Sequence, residues 1–224
     1  ALILTYVSQG GEENLPGNVD VRGVHTQTDH NELKLEFTAT TDAPTVVNLT
    51  HHSYFNLAGQ GKGNILNHVV YINADTITPV DSTLIPTGKF ADVTGTPFDF
   101  RKPTPIGARI NAPDPVLQYG PGYDHNWVIN KPLGQLGLMA QVEEPASGRV
   151  MQVWSDQPGL QFYAGNFLDG TIVGKGGAVY QRRSAFCMEP QHYPDSPNHP
   201  NFPTTELKPG ETYHNTIIYK FSVE

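Results

Sequence analysis

The stretch Glu32-Leu-Lys-Leu-Glu-Phe37 alternates between charged and apolar residues at every position. Because successive side chains of a β-strand point to opposite faces, this period of two buries the three apolar residues and leaves the charges in water. The turn-forming Asp29-His-Asn31 precedes the stretch, and Val19 and Val21 lie upstream. We therefore predict an antiparallel hairpin with one buried face.

Two further segments show the same alternation. Residues 138–142 and 150–154 flank Glu144-Pro-Ala-Ser-Gly148, whose order of residues is typical of a turn, so a second hairpin is predicted. From Tyr213 to Phe221 the odd-numbered residues would share one face of a strand. The mixture of polar and apolar side chains on that face favours a position between a core and a functional surface. Another strand is expected to begin at or before residue 1 and to end at the turn-forming Gly10-Gly-Glu-Glu-Asn14.

The composition indicates the same fold class. Gly and Pro account for 22 and 19 of the 224 residues and are spread along the chain. Because both residues disfavour helix interiors, a helical bundle or a coiled coil is excluded. Ten Tyr and ten Phe suit pleated, half-buried surfaces. We predict an all-β fold with a single domain over residues 1–224, since no repeat or linker interrupts the chain.

Charge and hydropathy limit the kinds of partner. The net charge is −8 and no basic run occurs, which argues against nucleic acid and anionic membranes. No stretch of about 18 apolar residues is present, so no membrane span is predicted. The single Cys187 cannot form an intramolecular disulfide, which fits a cytoplasmic location without excluding a periplasmic or secreted one. A small neutral ligand is compatible with all these features.

Asn48-Leu-Thr-His-His-Ser-Tyr-Phe-Asn-Leu57 is unusually rich in polar and aromatic residues. It follows the strand-like Thr45-Val-Val47. If that strand continues, His51 and His52 point to opposite faces, and only one of them can line a given pocket. The alternative is a surface histidine beside a hydrogen-bonded core histidine.

Gly122-Tyr-Asp-His-Asn-Trp127 lies between a long loop and a strand. Asp124 could form a turn, its commonest role in loops, or could bind two adjacent hydroxyls through its two oxygens. Trp127 would then offer an apolar face to sugar C–H groups. The loops over residues 114–124 and 190–209 are long enough to be functional, and the aromatic residues of the second favour an ordered, packed loop.

Phe186-Cys-Met-Glu-Pro-Gln-His192 places Glu189 at the end of an apolar run, which we interpret as the mouth of a strand. Shelter there would raise the carboxyl pKa toward neutrality, as a general base requires. The alternative is an ion pair with Arg182 or Arg183, which a straight strand would keep apart from Glu189. No metal site is predicted, because the histidines lack the local spacings that metal binding favours.

These three segments, together with Gly159-Leu-Gln-Phe-Tyr-Ala-Gly-Asn166, resemble the aldose 1-epimerase family, also called galactose mutarotases. The continuation Pro190-Gln-His-Tyr-Pro-Asp-Ser-Pro-Asn198 fits the same family, and the matches run in family order along the whole chain. The resemblance implies a large antiparallel β-sandwich with a monosaccharide in an open cleft. It also implies interconversion of the α and β anomers without a cofactor.

The resemblance assigns roles to six residues. Its catalytic histidine corresponds to His52, the proton donor to the ring oxygen, and its catalytic glutamate to Glu189, the base for the anomeric hydroxyl. The implied substrate-binding residues are Ser53, Tyr54, Asp124 and Gln161. The residue types fit, since ring opening needs one group that takes a proton and another that gives one. His51, which should face away from His52, is expected to have little effect on the chemistry.

One part of the family pattern is absent. The family also uses an Arg and a second His from an upstream stretch resembling Asn-x-x-His-Gly-Gly, which this sequence lacks. We therefore expect the chain to be the C-terminal part of the family's domain, with an N-terminal segment lost, cleaved or supplied by another chain. Two rival hypotheses stay open: a sugar-binding protein without catalysis, and a glycosidase whose carboxyl pair is Asp124 and Glu189.

Overall fold

Fifteen β-strands supply nearly all the regular structure of the computed structural model, which describes residues 1–224. They are β1 (Leu2–Ser8), β2 (Val19–Gln27), β3 (Glu32–Thr41), β4 (Thr45–Val46), β5 (Val69–Ile72), β6 (Ala74–Thr78), β7 (Ala91–Asp92), β8 (Thr104–Pro105), β9 (Asp124–Ile129), β10 (Gly137–Glu144), β11 (Arg149–Ser155), β12 (Gly159–Tyr163), β13 (Cys187–Gln191), β14 (Glu206–Leu207) and β15 (Tyr213–Val223). The all-β prediction is confirmed.

The only α-helix, α1 (Pro115–Tyr119), lies within the predicted loop over residues 114–124. The Asp114 side chain accepts hydrogen bonds from the Val116 and Leu117 amides, and proline at the first helical position leaves no amide unpaired. That part of the loop prediction is therefore wrong. Four 3₁₀ turns complete the helical structure: Glu12–Asn14, Ile106–Ala108, Lys175–Gly177 and Ser196–Asn198. No helix is both long and apolar enough to span a bilayer.

The strands form two large antiparallel sheets and one small one. The eight-stranded sheet has the order β1-β2-β3-β15-β11-β10-β5-β8, the five-stranded sheet has the order β13-β12-β9-β6-β7, and β14 pairs with β4 alone. Side chains from both large sheets meet in one apolar cluster, to which the five-stranded sheet contributes Trp127, Phe162 and Met188 and the eight-stranded sheet contributes Met151 and Tyr219. This arrangement is the predicted antiparallel β-sandwich.

The predicted hairpins are present. In the first, Val21 lies opposite Ala39 across β2 and β3, and Leu35 is fully buried. In the second, β10 and β11 are joined by a turn in which the Glu144 carboxylate accepts hydrogen bonds from the Ala146 and Ser147 amides. The loop over residues 190–209 is ordered, since buried Tyr193 and Phe202 pack edge to face.

Candidate active site

Three neighbouring strands of the five-stranded sheet present a polar surface on the side away from the core. In the registers of β9, β12 and β13, Tyr163 lies opposite both Asp124 and Cys187, and Gln161 lies opposite both Asn126 and Glu189. Because directly opposed residues share a face, all six side chains project from the same side of the sheet. The sheet thus brings together Asp124, Gln161 and Glu189, which are far apart in the sequence.

The intervening residues of these strands point into the core. Trp127, Phe162 and Met188 are fully buried, and the Trp127 indole N–H donates to the Phe98 carbonyl at 3.0 Å. The expectation that Trp127 would face a sugar beside Asp124 is wrong. The two residues are three positions apart on one strand, which places their side chains on opposite faces.

Residues 48–55 run along the outer edge of β13 and carry His52 to the polar surface. The preceding strand does not continue into this segment, because β4 ends at Val46. The segment instead attaches to β13 through the Thr50 hydroxyl, which donates to the Pro190 carbonyl at 2.9 Å, and through a bridge between Phe55 and Phe186.

Within this segment the side chains nevertheless alternate as predicted. The His52 ring lies near Tyr54 and Tyr163. The His51 ring turns the other way and contacts His25 and Tyr219. Only His52 therefore reaches the polar surface.

His52 and Glu189 form the central pair of the site. His52 Nε2 lies 3.5 Å from Glu189 Oε1, and the histidine side chain is 51% exposed whereas that of the glutamate is 8% exposed. Burial, assisted by the negative charge of Asp124, raises the pKa of Glu189 to about 7. The pair therefore joins a carboxylate of useful basicity to a histidine that solvent and substrate can reach.

The surroundings of Glu189 differ from the sequence prediction in two respects. The residue lies in the middle of β13 instead of at its mouth. Arg182 and Arg183 precede the strand and donate to the Pro121 carbonyl at 2.9 and 3.0 Å, so the alternative of an ion pair with Glu189 is wrong.

Asp124 and Gln161 offer hydrogen-bonding groups to a polar ligand. Gln161 Nε2 donates to Asp124 Oδ1 at 2.9 Å, which leaves Gln161 Oε1 buried and without a partner. A buried acceptor left unpaired costs about 1–3 kcal/mol, so a hydrogen-bond donor at this oxygen would stabilise the site. Burial raises the pKa of Asp124, and the hydrogen bond from Gln161 partly offsets that effect.

The backbone immediately before Asp124 has a conformation that requires glycine at position 122. Gly122 has a φ of 143°, and a Cβ there would collide with the Asn166 amide. That amide in turn donates to the Tyr123 carbonyl at 2.9 Å.

Aromatic rings bound one side of the polar surface. The rings of Tyr54 and Tyr163 meet edge to face with centroids 6.1 Å apart, and Phe167 stacks on Tyr163. Sequence reasoning overlooked Tyr163, although it follows Gln161 by two positions and a strand must place both on one face. Ser53 is not brought into the site, because its hydroxyl lies 3.2 Å from His51 Nε2 on the opposite side.

One trio of side chains could in principle hold a metal ion. Donor atoms of His52, Cys187 and Glu189 lie within 4.8 Å of one another. Burial, together with the nearby carboxylates of Glu189 and Asp124, raises the pKa of the Cys187 thiol. This shift disfavours the thiolate when no ion is bound, so a metal ion would have to displace the thiol proton in order to bind all three residues.

A groove of about 620 Å³ adjoins the site at Tyr54. Its other lining residues include Leu168, Ile172, Tyr180 and Ser184. Tyr54 therefore belongs both to the site and to a mostly apolar groove.

The sequence is similar to the sequences of known proteins. The sequence matches the family model for aldose 1-epimerase over residues 1–220. The chain belongs to the aldose 1-epimerase family. It is 50% identical over 217 residues to the galactose mutarotase of Homo sapiens, covering 97% of this chain and 61% of that protein. It is 36% identical over 225 residues to the aldose 1-epimerase of Escherichia coli K12, covering 100% of this chain and 64% of that protein.

Two solved structures of related proteins have the same fold as this chain. An aldose epimerase homologue from C. elegans matches with a TM-score of 0.87 and 30% identity, covering 99% of this chain and 65% of that one. Galactose 1-epimerase from Lactobacillus acidophilus matches with a TM-score of 0.85 and 27% identity, covering 99% of this chain and 62% of that one. The chain thus spans about three fifths of the length of its mammalian relatives.

Proposed function

We propose that this protein interconverts the α and β anomers of hexoses such as galactose or glucose by acid/base ring opening. The observation that carries the proposal is the His52 and Glu189 pair, an exposed imidazole 3.5 Å from a largely buried carboxylate. Membership of the aldose 1-epimerase family supports it. Two relatives are named for this activity, the human galactose mutarotase and the Escherichia coli aldose 1-epimerase.

The proposed chemistry needs one proton acceptor and one proton donor. Glu189 removes the proton from the anomeric hydroxyl while His52 protonates the ring oxygen, so the C1–O5 bond breaks and an open-chain aldehyde forms. Rotation about the C1–C2 bond exposes the other carbonyl face. The ring oxygen then attacks C1, with His52 taking back its proton and Glu189 returning its own. No electron is transferred, and no covalent bond to the protein forms.

The remaining residues of the polar surface would orient the substrate. We assign the Asp124 carboxylate and the unpaired Gln161 Oε1 to ligand hydroxyls, since both are acceptors beside the acid/base pair. Tyr54 and Tyr163 supply aromatic surface for the C–H groups of the ring. Because carboxylate and amide oxygens would repel a phosphate or carboxylate group, the proposed ligand is an uncharged monosaccharide.

Polarimetry tests the proposal. Wild-type protein added to freshly dissolved α-D-galactose or α-D-glucose should accelerate the decay of optical rotation, and Glu189→Gln and His52→Asn should each lower the catalysed rate at least a hundredfold. Glu206→Gln, a change at an exposed residue on β14, serves as the control and should leave the rate unchanged. Wild-type rates in the Glu189 and His52 variants would overturn the assignment.

Calorimetry separates catalysis from binding alone. Sugar binding without any acceleration by the wild-type protein would contradict the catalytic proposal and favour a carbohydrate-binding protein. Both variants should still bind sugar if they lose only the acid or the base.

A further inference from the structure

A single side chain of the opposite sheet joins the two backbone segments that carry the acid and the base. Tyr219 on β15 is fully buried in the core. Its hydroxyl donates to the Met188 carbonyl at 2.8 Å and lies 3.3 Å from the His51 carbonyl. These carbonyls belong to the residues that immediately precede Glu189 and His52. One hydroxyl thus contacts both segments directly beneath the site.

The segment bearing His52 depends on such contacts because it lacks a backbone ladder. The Val47 amide donates to the Thr205 carbonyl, and Phe55 exchanges two backbone hydrogen bonds with Phe186. Between these points, residues 48–54 form no backbone–backbone hydrogen bond. Side chains must therefore hold His52 at its distance from Glu189.

A second residue on the same face of β15 repeats the arrangement. Asn215 Nδ2 donates to the Leu49 carbonyl at 2.7 Å and to the Pro190 carbonyl at 3.3 Å. Leu49 lies in residues 48–55, the acid segment that carries His52, and Pro190 lies on β13, the base strand that carries Glu189. β15 therefore joins the same two segments twice, and Tyr219 is the contact nearer to the reacting groups.

We propose that Tyr219 is a positioning residue for the His52 and Glu189 pair. By holding the His51 and Met188 carbonyls on one hydroxyl, it sets the 3.5 Å spacing between His52 Nε2 and Glu189 Oε1. The effect of this residue on turnover rests on the proposed function. The contact itself can be tested without any catalytic assay.

The Tyr219→Phe substitution removes only the hydroxyl group and so tests its contribution alone. The ring contacts with Phe55 and His51 are retained, while the two carbonyls lose their common donor. Because displacement of a catalytic group by about 1 Å can cost up to a hundredfold, we expect kcat to fall roughly tenfold. KM should change less than twofold, since Tyr219 does not touch the polar surface.

Tyr123→Phe is the matched control. Tyr123 is also fully buried, and its hydroxyl donates to the Pro97 carbonyl at 3.0 Å, away from both segments. The control also removes one buried hydroxyl that donates to a carbonyl, so it should lower thermal stability but leave kcat unchanged. Equal kcat values in the two variants, or a Tyr219→Phe effect confined to KM, would overturn the proposal.

Amide hydrogen exchange separates failure of this inference from failure of the proposed function. The Leu49 and Phe55 amides donate to the Tyr213 hydroxyl and the Phe186 carbonyl, near the two ends of the acid segment. Their protection should fall in Tyr219→Phe and stay at the wild-type level in Tyr123→Phe. This result would support the positioning role even if the wild-type protein proved inactive. Unchanged protection in Tyr219→Phe would refute it.

Discussion

Glu189 is the residue whose ionisation decides whether the proposed reaction can occur. A carboxyl group accepts a proton only when it is ionised, and burial with the nearby Asp124 raises the Glu189 pKa to about 7. Below that pH the proton stays on Glu189 in the free protein, so kcat/KM should fall about tenfold for each further pH unit. Above that pH the base is fully available.

The Asp124→Asn substitution should shift the acid limb, the fall of kcat/KM at low pH, to a lower pH. Removing the neighbouring negative charge makes ionisation of Glu189 easier and lowers its pKa, so activity should persist to lower pH while sugar binding weakens. The measurement is a pH profile of anomer exchange by NMR. Asp92→Asn, which removes an exposed carboxylate at the sheet edge, should leave the limb in place. A limb that stayed fixed in Asp124→Asn would show that Asp124 does not influence the base.

For the individual residues of the site, the sequence identified the residue types but not their roles. The spacing of Asp124 or Glu189 along the chain did not distinguish a turn or an ion pair from a sugar ligand or a base, and resemblance to the family made the choice. Strand alternation alone, applied consistently, would have placed Trp127 in the core and Tyr163 at the site. The same alternation would have placed Ser53 beside His51 and away from His52, as the structure shows.

The element that matters most is the acid segment over residues 48–55, which is held by side chains instead of a strand ladder. Asn48 makes a reciprocal pair with His192: its Nδ2 donates to the His192 carbonyl at 3.0 Å, and the His192 amide donates to Asn48 Oδ1 at 2.9 Å. The segment is thereby anchored beyond the end of β13.

Asn48→Leu should destabilise the protein by about 1–3 kcal/mol, because it leaves both polar groups of His192 without their partner. The midpoint of urea unfolding measures the loss. Asn201→Ala removes one exposed hydrogen bond, to the Gly88 carbonyl, and should cost less than about 0.5 kcal/mol. An equal midpoint shift in the two variants would mean that the pair contributes no anchoring.

Alternation and turn residues were sufficient to predict the hairpins, whose partners are close in sequence. They could not predict the conformation of the acid segment. Its partners in β13 and β15 lie about 140 and 165 positions away in the sequence, and no local pattern reports such contacts.

In the molecule as a whole, one face of the five-stranded sheet carries the proposed active site and the other face packs into the hydrophobic core. Phe162, between Gln161 and Tyr163 on β12, is fully buried among Phe100, Tyr123 and Trp127. The same strand therefore serves the core and the site through alternate residues. The order of strands in the sheets was not predictable, since alternation identifies a strand's faces but not its neighbours.

Phe162→Ala should cost about 3–5 kcal/mol of unfolding free energy, because a buried aromatic ring is replaced by a cavity. Phe90→Ala, at a ring that is 46% exposed, should cost distinctly less. Calorimetric unfolding compares the two. Similar losses would contradict the placement of Phe162 in the shared core.

The organisation of residues 1–224 as a single domain stays a prediction.

Anomer exchange in ¹⁸O-labelled water tests acid/base ring opening most directly. Ring opening leaves the C1 oxygen attached, whereas the glycosidase alternative, with water attacking C1, would introduce ¹⁸O. Measured by NMR, wild-type protein should interconvert the anomers far faster than ¹⁸O enters C1, and Glu189→Gln should abolish the catalysed exchange. Incorporation of ¹⁸O in step with anomer exchange, or undiminished exchange in Glu189→Gln, would contradict it.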